Sequence, residues 1–152
     1  MDHFSRKNAR TATLLNLAIN VVAPALLFRQ HEAFNVSGAA PTLVDLLLPA
    51  VIISAFATTL ATFTTMTRQR MARTLLPGLA PKTRWVGVAL LTGIVLALGM
   101  AGVAFGLIRV VQVAASGAVL SKGVALAVSG GVGALVALFT AHLAVQRARL
   151  IQ

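Results

Sequence analysis

Residues 85–108 read WVGVALLTGIVLALGMAGVAFGLI, a stretch without a single Asp, Glu, Lys or Arg. At the helical rise it would be about 36 Å long, more than the ~30 Å hydrocarbon core of a bilayer. Hydrocarbon offers no water to backbone groups, so a spanning segment is either a helix or a strand of a closed barrel. Barrel strands alternate apolar and polar residues with period two. This stretch does not alternate, so we read it as a transmembrane helix. Trp85 stands at one end next to Arg84, at the headgroup level where tryptophan is favoured.

Three further stretches behave in the same way. No charged residue falls within 46–67 or within 123–146. Between Ala12 and Phe28 only Asn16 and Asn20 are neither apolar nor hydroxyl-bearing. The expected helices are therefore 11–28, 42–66, 85–108 and 123–146, in one all-α membrane protein, a four-transmembrane-helix bundle occupying the whole chain. Thr42 and Asp45 have the spacing of a capping box at the start of helix two. Pro77-Gly78 marks a turn in the loop 67–84. The composition agrees: 58% hydrophobic and 11% charged, with mean hydropathy +0.89, against about 25% charged in soluble domains. A start such as Arg6 to Ala25, with Ala23-Pro24-Ala25 as a small-residue site, also resembles a secretory signal. Cleavage there would leave three spans. Leu26, Leu27 and Phe28 continue the apolar run and the two asparagines interrupt it, so we expect helix one to be retained.

The net charge of +10 has a membrane explanation. Arg6, Lys7 and Arg10 precede helix one. Arg68, Arg70, Arg73, Lys82 and Arg84 lie between helices two and three, and Arg147 and Arg149 follow helix four. The other side holds Arg29, Arg109 and Lys122 with Glu32 and Asp45. Short basic loops stay cytoplasmic, which gives an N-in/C-in orientation in a membrane of the bacterial inner-membrane type. The expected partners are the lipid bilayer, with anionic headgroups at the inner loop where Met71, Leu75 and Leu76 are set among arginines, and no nucleic acid. The chain has no cysteine, which excludes disulfides and thiolate chemistry. His3, His31 and His142 lack the spacing of a metal or haem site, and we expect neither metal nor cofactor.

Intramembrane polarity is concentrated in helices one and two. Asn16, Asn20 and Pro24 recur every fourth residue and share a face. Pro24 has no N–H to offer the carbonyl of Asn20. Ala50, Ser54, Thr58 and Thr62 form a matching face on helix two. An amide in hydrocarbon costs free energy unless bonded, so both asparagines should face protein. Measured from the expected inner helix ends, Asn16 lies level with Thr62 and Asn20 with Thr58, and we expect those two pairs to meet. Pro49 kinks helix two as Pro24 kinks helix one; together they would splay an outward vestibule with Asp45 at its mouth. His142, near the inner end of helix four, would lie close to Asn16 and Thr62. Asp45 and His142 are the candidate ionisable groups.

Helices three and four carry small residues that let helices approach closely. Gly93, Ala97 and Ala101 recur every fourth residue, with Gly102 and Gly106 as a second pair. Helix four has Gly123, Ala127 and Gly131, then Gly133. These faces would pack within the bundle or between copies, in a homo-oligomer or a larger membrane complex.

The run Leu15-Asn16-Leu17-Ala18-Ile19-Asn20 followed by Pro24, with basic termini, resembles small uncharacterised bacterial four-helix integral membrane proteins. The resemblance covers about one helix and implies no activity. Small multidrug transporters carry a glutamate in their first helix, where this chain has Asn16 and Asn20. No carboxylate lies in the central part of any span, so we expect no enzyme. The expected function is a non-catalytic inner-membrane protein acting through helix packing. The alternative is a small transporter or channel using the polar face of helices one and two.

Overall fold

The computed structural model describes residues 3–73 and 84–149, with side chains from Arg10 to Thr67 and from Trp85 to Ala148. The notional turn at Pro77-Gly78, and Leu75 and Leu76 of the inner loop, lie outside the described residues. Four long helices make up the fold: α1 (His3–Leu27), α2 (Leu43–Arg73), α3 (Arg84–Ala114) and α4 (Lys122–Arg149). Each contains a span apolar and long enough to cross a membrane: Arg10–Leu27, Leu43–Thr67, Trp85–Ala114 and Lys122–Ala148.

The helices run past the ends expected from charge. α1 starts eight residues earlier than position 11, and α2 continues seven residues beyond position 66. Basic residues do not end a helix, because its hydrogen bonds are made by the backbone and need no apolar side chain. At the other end α3 extends through Val110, Val111 and Val113 to Ala114. Gly117, at φ +82°, turns the chain after it.

The two connections at this end pair with each other. β1 (Ala33–Asn35) runs antiparallel to β2 (Val119–Ser121), with Phe34 opposite Leu120. Further bonds tie the ladder down: Val36 N–H donates to the Ala118 carbonyl, Lys122 N–H to the Glu32 carbonyl, and Gln112 Nε2 to the Val36 carbonyl at 2.9 Å. Strand alternation turns Phe34 and Val36 inward, where they are fully buried with Leu43, Leu46, Leu47, Ile108 and Ala125. Phe28 meets Phe34 edge to face, 5.2 Å between centroids. The helix ends carrying Arg10, Thr67, Trp85 and Ala148 all lie at the opposite end of the bundle.

In cross-section the bundle is a skewed parallelogram rather than a square. α2 and α4 face each other across the short diagonal, α1 lies against α4, and α3 lies against α2. The α1–α2 and α3–α4 edges are wider. Glycine and alanine set the close edges. Ala89, Gly93, Ala97 and Ala101 turn one buried face of α3 toward α2. A Cβ on Gly93 would stand 3.0 Å from the Phe56 ring. Across the α1–α4 edge, a Cβ on Gly130 would stand 2.7 Å from Val21 Cγ2. At the end of the bundle carrying Arg10 and Trp85, Phe63, Ala89, Ala144 and Ala148 close the core, with Trp85 and Val88 packed against them.

Candidate functional site

The wide α1–α2 edge is bridged by the two asparagines. Asn16 and Asn20 are 5% and 4% exposed on a helix whose neighbours Leu14, Leu15, Leu17 and Ile19 face outward. Asn16 Nδ2 donates to the Ala12 carbonyl at 2.9 Å and to Thr58 Oγ1 at 3.0 Å. Asn20 Nδ2 donates to the Asn16 carbonyl at 2.8 Å and to Ser54 Oγ at 2.7 Å. Each amide thus uses both of its N–H groups, one on its own helix and one on α2. Carbonyl oxygens only accept, so these bonds also fix which end of each amide is nitrogen.

α4 forms the floor of this seam. Gly133 lies directly beneath Asn20; a Cβ there would overlap the amide, standing 2.6 Å from Asn20 Cγ. A side chain at position 133 would displace the amide from its bond to Ser54. Ala50, Ser54, Thr58 and Thr62 are all buried along the matching face of α2. Pro24 is buried one turn beyond Asn20, and Pro49 is exposed.

The faces match expectation and the register does not. Asn16 meets Thr58 instead of Thr62, and Asn20 meets Ser54 instead of Thr58. The shift is one helical turn. The inner helix ends extend by nearly equal amounts, eight residues on α1 and seven on α2, so helix length does not account for the shift. A four-residue repeat preserves the face when the register slips by four.

Near the expected outward vestibule, Phe34 and Val36 are buried in an apolar cluster with Phe28 packed against it. Asp45 is exposed and caps α2: its Oδ2 accepts from Thr42 N–H and from Thr42 Oγ1, both at 2.8 Å. Asp45 N–H donates back to Thr42 Oγ1 at 3.4 Å. His142 is exposed and does not join the asparagines; its Nε2 lies 2.9 Å from Gln146 Nε2, one turn along α4. Gly102, Gly106, Gly123, Ala127 and Gly131 are exposed. No neighbouring atom lies within 4 Å of a Cβ placed on any of the four glycines. Within this unit they pack nothing, unlike Gly93, Ala97, Ala101 and Gly133.

Two buried hydroxyls escaped the sequence reading. Ser129 Oγ and Thr140 Oγ1 are wholly buried on α4 without a hydrogen-bond partner. They are eleven residues apart, three turns, and so share a face. Only their position in an otherwise small-residue helix would have flagged them. Among the described residues, no three His, Cys, Asp or Glu side chains gather as a metal site.

Comparison with protein-family models, with curated proteins and with solved structures finds no match to this chain. The likeness of helix one to small bacterial membrane proteins therefore brings no family with it, and function rests on the geometry alone.

Proposed function

We propose that this multi-pass membrane protein is non-catalytic and acts by lateral helix packing, with itself or with a larger membrane complex. The observation that carries this is a division of surfaces. The polar groups of α1 and α2 are turned inward and bonded to one another, while α3 presents most of its surface outward, its second glycine pair included. Leu98, Val110 and Val113 are 66–83% exposed and lie outside the clefts between α3 and α4. Exposed apolar side chains suit lipid equally well, but uncovered glycines beside them permit the close backbone approach that helix association in membranes uses. The charge asymmetry supports placing both termini on the cytoplasmic side of a bacterial-type inner membrane, with the basic inner loop on anionic headgroups.

The test uses the absence of cysteine in the chain. Gly106→Cys on α3 and Leu14→Cys on the lipid-facing side of α1 are oxidised separately in native membranes. Cross-linked species from Gly106→Cys and none from Leu14→Cys are expected. A monomer at both positions rejects lateral packing through α3.

The alternative, a small transporter or channel, draws on the asparagine seam. It would require the amides to exchange four bonds for substrate contacts. Asn20→Leu separates the two: loss of stability with nothing more specific supports interhelical glue, and a transport defect in a stable protein supports passage.

A further inference from the structure

We infer that the α3–α4 edge is a binding groove for an anionic phospholipid of the leaflet at the basic end of the bundle. This goes beyond lateral packing and does not depend on it. α3 and α4 both stand on α2 and diverge from each other, leaving two clefts one above the other. The outer cleft, about 430 Å³, is walled by apolar side chains such as Met100, Leu107, Val132 and Phe139. The inner cleft, about 490 Å³, continues the same edge between Val88, Leu91 and Val95 of α3 and Leu143 of α4, and ends at Gln146 and Arg147. The sister edge between α1 and α2 is spanned by asparagine bonds; this one is walled by hydrocarbon.

A lateral apolar cleft within a bilayer is filled by something apolar, since water gains no hydrogen bonds there. The change of lining along the groove says what. Its walls are hydrocarbon for most of their length and cationic at one end, the pattern of an acyl chain joined to a negatively charged headgroup. Arg147 has no ion pair among the described residues, and its guanidinium presents the fork of donors that suits phosphate. A second copy of this chain is a poor occupant. In the same orientation it would bring its own Arg147 to the same depth, setting like charges against each other. An anionic lipid neutralises them.

Trp85 is the only tryptophan in the chain and stands one turn before Val88, a residue of the groove wall. It is a built-in reporter. The full chain is reconstituted in mixtures of phosphatidylglycerol and phosphatidylcholine, with one or the other brominated in its acyl chains, and quenching of Trp85 is read against composition. The expected result is about a fivefold preference for phosphatidylglycerol, the factor that one basic residue adds at an anionic surface. Arg147→Gln should abolish the preference, Arg147→Lys should retain most of it, and Arg10→Gln on α1 should leave it unchanged. Equal quenching by both lipids in the native protein overturns the inference. So does a preference that survives Arg147→Gln, or one that Arg10→Gln weakens as much, which would mean a diffuse basic surface. Quenching that falls as protein is concentrated in the bilayer also overturns it, by placing a second copy in the groove.

Discussion

Gly133→Ala should be among the most damaging single-methyl changes in this protein. The added Cβ would overlap the Asn20 amide, at 2.6 Å from Cγ and 3.1 Å from Cβ. Asn20 is held at that spot by its bonds to the Asn16 carbonyl and to Ser54, so it cannot turn aside without breaking them. Overpacking costs about 1–3 kcal/mol. Loss of the bond to Ser54 adds about 0.6 kcal/mol, as interhelical bonds in membranes average. Helix propensity returns about 1 kcal/mol when glycine becomes alanine. The net expectation is a loss of about 0.6–2.6 kcal/mol. Gly131→Ala, two residues away on the same helix, meets nothing within 4 Å and should gain up to about 1 kcal/mol from propensity alone. The opposite signs are the signature. Reversible unfolding in mixed detergent micelles, followed by helical circular dichroism, measures both. In the double variant Asn20→Ala with Gly133→Ala the clash is gone, and a favourable coupling of at least about 1 kcal/mol is expected. Equal effects of Gly131→Ala and Gly133→Ala, or additive Asn20 and Gly133 variants, would refute the close seating of α1 on α4.

Other expectations follow from the same contacts. Thr58→Val should destabilise by about 1–2 kcal/mol because it leaves an Asn16 N–H without its acceptor, whereas Thr140→Val removes an orphan hydroxyl and should be neutral or stabilising; the same unfolding assay compares them. Phe34→Ala empties the plug between the two outer connections and should cost about 3–5 kcal/mol, with faster hydrogen exchange at Leu120 and Val36. Thr42→Ala breaks the reciprocal cap with Asp45 and should cost about 0.5–2 kcal/mol, with fraying confined to the first turn of α2.

The helices were legible because hydrocarbon imposes a length and forbids charge within it, and the sequence meets both conditions four times. Which faces turn inward was legible too, since buried amides and hydroxyls at four-residue spacing have nowhere else to go. Depth was not. α2 continues through Arg68 and Arg70 to Arg73 without interruption, so a run of charge does not mark the helix end. The pairing of Ala33–Asn35 with Val119–Ser121 was hidden for a different reason. Each strand is three residues long, too short for alternation to stand out, and neither is stable without the other; the information lies in two loops more than eighty residues apart. The fate of the glycines depends on neighbours. Gly131 and Gly133 look alike in sequence, and only the position of Asn20 makes one of them indispensable.

The seam between α1 and α2 is the centre of this account, and paired-cysteine cross-linking in membranes tests it directly, since the chain supplies no cysteine of its own. With a short thiol-reactive linker, Asn16→Cys with Thr58→Cys and Asn20→Cys with Ser54→Cys should each join α1 to α2 efficiently. Asn16→Cys with Thr62→Cys, one turn further in, should react much less. Strongest cross-linking at positions 16 and 62, or none at any of the three pairs, would contradict the seam and the bundle built around it.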